Sequence, residues 1–238
     1  MSEPETLLAL DAAGASCSVA VWAEGAVRAQ ACEAMARGQS ERLVPMIEEV
    51  MAAAALEYGA LEAIAVTRGP GGFTGVRIGL ATARGLGLAL ARPVMGVSNF
   101  EALALAAPRL RAGQVLAVVI DAKRAEVYVQ AFHASEPDAA PVPAESGRAL
   151  RPEALDEALP PGPLVVVGDG AALAAPALRA AGRTLELPTA AEPCLAVQVA
   201  RCAAGRPLPG PDSPPPGPLY LRGADVTLPD GRKLEAPG

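Results

Sequence analysis

The stretch Val66–Leu90, VTRGPGGFTGVRIGLATARGLGLAL, reads as the end of a buried strand, a tight turn and a helix. A short apolar run reaches Thr67 and the loop Gly69-Pro70-Gly71-Gly72 follows. Thr74 is placed to cap a helix in which Gly75, Gly79, Ala83 and Gly87 recur every four residues. Glycine inside a helix costs about 1 kcal/mol against alanine. A helix carrying several gains from having no side chains on one face, and that gain is close approach of another backbone, from this chain or from a partner. The stretch therefore marks either a ligand loop or a docking surface. It is not a Walker A loop, because no lysine follows the glycines. Nor is it a dinucleotide fingerprint, since Thr74 stands where the third glycine belongs. Amides at a helix N-terminus can still hold an anion, and the turn can equally serve only to aim the helix.

Upstream, Leu7–Asp11, Cys17–Trp22 and Ala26–Ala34 read as strands, the last two joined by the turn Glu24-Gly25. An amphipathic helix runs from Ser40 to Glu57, with Leu43, Ile47, Val50 and Ala54 on one face and Pro45 near its first turn or bending it. Ala63–Thr67 and Pro93–Val97 are further strands, and Asn99–Ala107 a helix. The order β-β-β-α-β-α-β-α implies a mixed sheet flanked by helices. A second block repeats the plan. Val115–Ile120 ends in Asp121, as Leu7–Leu10 ends in Asp11, and Glu126–His133 completes a hairpin through DAKRA. The segment from Pro137 to Pro163 is irregular, with a helix near Pro152–Leu159. Leu164–Val167 then ends in Gly168-Asp169-Gly170, followed by helices near Ala171–Ala181 and Pro193–Ala204. From Arg206 to Pro218 seven residues are proline, which reads as an extended, weakly ordered tail before the short docking segment PLYLR, Pro218–Arg222.

Composition narrows the chemistry. The chain has 238 residues and a formal net charge of −6, which argues against independent binding to a phosphate backbone. Only 3% of residues are aromatic, leaving few rings for stacking bases. His133 is the only histidine, so no histidine pair can ligate a metal and no histidine-assisted hydrolase is spelled by the spacing. Asp11 can face a phosphate or merely cap a turn; the residues after it, Ala12-Ala13-Gly14-Ala15, offer only backbone amides. Asp121, Lys123, Arg124 and Glu126 read as a solvated hairpin turn or an ionic contact surface. Cys17, Cys32, Cys194 and Cys202 lack C-x-x-C spacing and read as buried thiols in a reducing compartment. The apolar helix Ile78–Ala91 is interrupted by Arg84 and too short to span a bilayer, and MSEPETLLALD lacks a signal core, so the chain reads as soluble and cytoplasmic.

Five motifs, LLALDAAGASCSVAV (Leu7–Val21), GQSERLVPMIE (Gly38–Glu48), RGPGGFTGVRIG (Arg68–Gly79), DAKRAEVY (Asp121–Tyr128) and PLYLR, resemble the TsaB (YeaZ) family and keep its order along nearly the whole chain. The resemblance implies an α/β chain of the actin/Hsp70/sugar-kinase-like fold, two lobes each with a mixed sheet flanked by helices. The expected division is 1–107, 108–205 and a tail 206–238. It also implies a non-catalytic subunit for N6-threonylcarbamoyladenosine synthesis at position 37 of tRNA. Such a subunit binds the catalytic TsaD, helps recruit the ATPase TsaE, reaches tRNA only through the complex and pairs with itself when alone. No cofactor is required of this subunit, with ATP or ADP at the complex interface.

By match of motif, the partner interface draws on Ser40, Leu43, Ile47 and Val50 of the first helix. From the second it draws on Thr74, Gly75, Ile78, Gly79, Thr82, Ala83 and Leu86, so that Gly79→Leu is expected to abolish partner binding in a folded chain. Asp11, Gly69, Gly71 and Gly72 are the candidate nucleotide contacts. The alternative function is a stand-alone nucleotide-dependent kinase or ATPase of the same fold, using those residues and Gly168-Asp169-Gly170. Departures from the family pattern are Ala12-Ala13 for Thr-Ser after the first aspartate, Gln39 for histidine, and Gly72 for serine.

Overall fold

The computed structural model describes residues 2–134, 139–188, 194–210 and 213–222, and the backbone of a two-stranded ribbon, Val226–Thr227 with Lys233–Leu234. The first sheet contains β1 (Thr6–Asp11), β2 (Ser16–Ala23), β3 (Ala26–Ala34), β4 (Ala63–Thr67) and β5 (Val94–Val97), in the order β3-β2-β1-β4-β5. The β1-β2-β3 meander is antiparallel, and β4 and β5 join in parallel. Helix α1 (Gln39–Ala53) links β3 to β4, α2 (Phe73–Leu90) links β4 to β5, and α3 (Asn99–Ala106) leads out of β5. In the second sheet β6 (Val115–Asp121) and β7 (Val127–His133) form a hairpin, with the short strands β8 (Val142–Pro143) and β9 (Arg148–Leu150) both on β7. The other side of β6 pairs in parallel with β10 (Leu164–Val167), which pairs with β11 (Leu185–Glu186). Helices α4 (Leu155–Ala158) and α5 (Ala171–Ala180) flank this sheet, and α6 (Leu195–Ala204) precedes the tail. A hairpin ending in an aspartate, extended by parallel strands and flanked by helices, thus occurs twice, as the actin/Hsp70/sugar-kinase architecture requires.

Both faces of β1 are buried, which is why it reads as an unbroken apolar run. Leu8 and Leu10 face Leu43, Ile47, Val76 and Leu80 of α1 and α2. Leu7 and Ala9 face the other way, into a layer rich in alanine: Ala20, Ala63 and Ala65 of the sheet meet Ala196, Ala200 and Ala203 of α6. Small side chains on both sides let α6 lie close on the first sheet. The expected division placed that helix with the second lobe; its alanine face instead finds its complement on the first. Helix α3 lies between the sheets, with Ala102 in the first core and Phe100 and Ala104 against Leu116, Val118 and Phe132 of the second.

Three further local expectations change. Pro45 lies inside α1, six residues past its start and exposed, and it has no N–H to donate to the Glu41 carbonyl. Helix α2 starts at Phe73 with Gly72 as its cap residue and no side-chain cap, so Thr74 does not cap it. The tail is anchored where it is described. Leu219 N–H donates to the Arg68 carbonyl at 2.6 Å, an Arg84 N–H donates to the Pro216 carbonyl at 2.8 Å, and Arg222 pairs with Glu126. The segment PLYLR docks on its own chain. Pro193, Pro211 and the last residues of the tail lie outside the described residues. Among the described residues no helix is long and apolar enough to cross a membrane.

Helix α3 is held at its start by a capping box. Ser98 N–H donates to Glu101 Oε2 at 2.8 Å, Glu101 N–H donates to Ser98 Oγ at 3.1 Å, and Arg206 binds Glu101 Oε1 at 2.7 Å. Burial alone would raise the Glu101 carboxyl, but the Ser98 backbone and hydroxyl and Arg206 outweigh it and hold it below the ordinary 4.5. A carboxyl depressed in the folded state contributes stability above its unfolded pKa and loses it as pH falls through the folded value. Glu101→Gln is therefore expected to lower the melting temperature at pH 7, with the gap to the parent closing as the pH falls below about 4.5; melting curves at pH 7, 5 and 3.5 read this directly.

The cysteines divide unequally. Burial pushes the thiols of Cys17, Cys194 and Cys202 up to about 11, whereas Cys32 is exposed because β3 is the sheet edge. The expectation of four buried thiols holds only for Cys17: Cys194 and Cys202 are half-buried and Cys32 is exposed. Brief iodoacetamide treatment at pH 8 should alkylate Cys32 first, as peptide mass spectrometry would show.

Candidate functional site

The carboxyl ends of β1, β4, β6 and β10 converge on a cleft of about 940 Å³ between the two lobes, the place where open parallel sheets present ligands. Asp11, Gly71 and Gly72 line its first wall and Asp121, Lys123 and Asp169 its second. The first wall is closed upon itself. Asp11 is 1% exposed, and its Oδ1 accepts from Thr67 Oγ1 at 2.7 Å and from Ala13 N–H at 3.1 Å. Gly72 N–H donates to the Ala13 carbonyl at 2.7 Å, and a Cβ on Gly71 would lie 2.6 Å from that same oxygen. A Cβ on Gly75 would overlap the Ala12 carbonyl oxygen outright. The glycines thus let the start of α2 sit on the backbone of the turn between β1 and β2, and at Gly72 the loop's amide is consumed there. Gly69 does not line the cleft. It has φ +94°, a conformation that favours glycine, and is clamped to Asn99: its N–H donates to Asn99 Oδ1 at 3.0 Å and its carbonyl accepts from Asn99 N–H at 2.9 Å.

The second wall repeats the closure. Gly170 N–H donates to the Val119 carbonyl at 3.1 Å, and Asp169 Oδ1 accepts from Asp121 N–H at 2.8 Å. Lys123 Nζ bridges Asp121 Oδ2 at 2.9 Å and Asp169 Oδ2 at 3.4 Å. Burial raises the Asp121 carboxyl, but the hydrogen bonds and charge of Lys123 outweigh it and bring it below the ordinary range. The tip of the charged hairpin, Lys123 to Ala125, is exposed as a solvated turn, while the Lys123 ammonium reaches back to both Asp121 and Asp169 and Glu126 holds Arg222. Among the described residues no three histidine, cysteine or acidic side chains converge as metal ligands.

The helices expected to meet a partner need a larger correction. Leu43, Ile47, Val50, Gly79 and Ala83 are buried in the first lobe, while Gly75, Ile78, Thr82 and Leu86 are half-buried. Gly79 packs on Val66 and Ala12, and Gly87 on Val94, so the small stripe faces the chain's own sheet. Gly79→Leu would therefore disturb the fold itself and cannot report on a partner alone. Of the expected interface, Ser40 and Thr74 are exposed. The outer face of the pair is formed instead by Val44 of α1, 50% exposed, and by Phe73, Ala81, Gly85 and Leu88 of α2, with Leu88 87% exposed. Phe73 also stacks on Tyr220 at 5.9 Å with the Arg77 guanidinium over its ring at 3.5 Å, which seats the PLYLR segment on α2. In the sequence this face is carried by Phe73, Ala81, Gly85 and Leu88, which also lie on one side of a helix, so helical spacing alone does not separate it from the glycine stripe.

A cleft between two related α/β lobes, with glycine loops closed on their own backbone and an apolar outer side on α1 and α2, defines the class of protein to which this chain belongs. A family model described as TsaD, tRNA N6-adenosine threonylcarbamoyltransferase, matches residues 31–142. The chain is similar to YeaZ from Pseudomonas aeruginosa, with a TM-score of 0.68 and 32% identity over 86% of this chain and 91% of that one. It is also similar to "tRNA threonylcarbamoyladenosine biosynthesis protein TsaB" of Escherichia coli (strain K12), 37% identical over 55% of this chain and 56% of the relative. The protein of that name from Haemophilus influenzae is 41% identical over 52% of each chain. These alignments span about half the length of the curated relatives. The chain belongs to the TsaB/YeaZ family.

Proposed function

We propose that this chain is a cytoplasmic, non-catalytic subunit of the machinery that makes N6-threonylcarbamoyladenosine in tRNA. Its partner is TsaD, held by the outer face of α1 and α2, and the pair helps recruit TsaE. The observation that carries this reading is the apolar outer side of that helix pair, with Leu88 and Val44 exposed among the described residues. Exposed apolar surface of this kind is covered by a partner in proteins that act in complexes. Without TsaD the same face pairs two copies of this chain. The closed glycine loops favour a supporting over a catalytic role, because the Gly72 and Gly170 amides are already spent on the Ala13 and Val119 carbonyls. No cofactor is required of this subunit, and ATP or ADP is held only at the interface of the complex; tRNA is met through TsaD.

The alternative is a nucleotide-dependent kinase or ATPase, for which the cleft with Asp11, Asp121 and Asp169 is the supporting feature. Two measurements on the purified chain separate the readings. Retention of tagged TsaD with no ATP turnover by the chain alone is the expected result. ATP hydrolysis by the isolated chain, or failure to retain TsaD, would overturn the proposal.

A further inference from the structure

At the open edge of the first sheet, away from the cleft, lies a second cavity of about 310 Å³. Its floor is β5, its sides are Arg68 and Arg206, and its rim is made by prolines of the tail, among them Pro207 and Pro216. The two arginines differ in how they are held. Arg206 is committed: one terminal N–H donates to Glu101 at 2.7 Å and the other reaches the Gly96 carbonyl at 3.5 Å. Arg68 is not. Its backbone is fixed on both sides, N–H to the Val97 carbonyl at 2.9 Å and carbonyl to Leu219 N–H at 2.6 Å, but its side-chain Nε is wholly buried without a hydrogen-bond partner. No carboxylate pairs with it among the described residues.

Gly96 makes room for this arrangement. A Cβ there would lie 3.2 Å from Arg68 Cδ and 2.6 Å from Pro216 Cβ, so the glycine lets the arginine stem and the proline close over the strand. The stretch that supplies Arg68 and β5 is also one-sided in charge: between Glu62 and Glu101 it contains four arginines and no acidic residue. Burying a guanidinium N–H without an acceptor, as at Arg68 Nε, is unfavourable, and the terminal fork of an arginine matches the oxygens of a phosphate in pairs. Glu101 offsets one of the two positive charges, which leaves the cavity with a net positive charge and an unmet donor at Arg68.

We propose that this cavity binds the phosphate-type oxyanion of a small molecule, with Arg68 as its anchor and Arg206 as the second donor. The volume suits a small anion inside a proline rim rather than a nucleic-acid strand laid across a surface. Neither the cleft nor the outer face of α1 and α2 takes part, so the inference stands apart from the proposed function.

The test uses the full chain and inorganic pyrophosphate as the probe, with chloride and acetate at matched ionic strength. Pyrophosphate is expected to raise the melting temperature by about 4 °C or more, with no rise in chloride or acetate and none in Arg68→Met. In the unmutated chain, pyrophosphate at ten times its dissociation constant should slow phenylglyoxal modification of Arg68 about tenfold, while leaving exposed Arg37 unprotected. The labelling needs no variant and decides the matter if Arg68→Met fails to fold. Equal melting in pyrophosphate and chloride, a rise that Arg68→Met retains, an equal rise with acetate, or no protection of Arg68 would each overturn the proposal.

Discussion

Gly75→Val is expected to unfold the first lobe or to bring it close to unfolding. Any Cβ at this position overlaps the carbonyl oxygen of Ala12, and the clash is with backbone, which cannot rotate away. Ala12 and Ala13 are each 1% exposed, in the turn between β1 and β2, and the start of α2 is tied to that turn through Gly72. Relief requires α2 to lift off the sheet, which would open contacts of Val76 and Leu80 with Leu8 and Leu10. Overpacking usually costs about 1–3 kcal/mol and more when the neighbour cannot yield, so a loss above about 3 kcal/mol is expected here. Set against a total of about 5–15 kcal/mol, the melting temperature should fall by more than about 6 °C. Gly85→Ala is the matched control on the same helix. A Cβ there meets nothing within 4 Å, and alanine for glycine in a helix should stabilise by about 0.5–1 kcal/mol. Thermal or urea denaturation of the pair separates the inward from the outward side of α2. A Gly75→Val chain as stable as the parent would contradict the packing described for the loop.

The second large effect concerns binding and leaves stability alone. Val44→Asp combined with Leu88→Asp changes two side chains that are 50% and 87% exposed, so the melting temperature should stay within about 0.5 kcal/mol of the parent in equivalent free energy. If these residues are central to the TsaD contact, each is worth about 1–2 kcal/mol there, and together they should weaken it by a hundredfold or so. Titration calorimetry with TsaD measures this. A folded double variant with unchanged affinity would move the partner surface elsewhere on the molecule.

Much of the fold is legible in the sequence because its signals are local. LLALD announces a strand buried on both faces, and Glu24-Gly25 supplies the positive φ values that close the β2-β3 hairpin. The repeat of Asp11 and Asp121 at equivalent strand ends reveals the second sheet. What the sequence leaves open is which surface an apolar or small face will meet. Gly75, Gly79, Ala83 and Gly87 announce that a backbone comes close, but four-residue spacing does not say whose; the answer, Ala12 and β4, depends on tertiary packing. The alanines of α6 likewise carry no address, and only the alanine layer of Ala9, Ala63 and Ala65 gives them one. The proline tail reads as loosely held because its anchors, Arg84, Gly96 and Arg68, lie more than a hundred residues away in the chain. Arg68 itself stands out only when the partners around it can be counted.

The central claim is that this chain is needed for threonylcarbamoyl transfer to tRNA without performing it. The most direct measurement combines TsaD, TsaE, the adenylate-forming enzyme, threonine, bicarbonate, ATP and tRNA, with and without this chain, and quantifies the modified adenosine by mass spectrometry. The account predicts product only when the chain is present, lost when Val44→Asp/Leu88→Asp replaces it. Undiminished product in its absence would contradict the account.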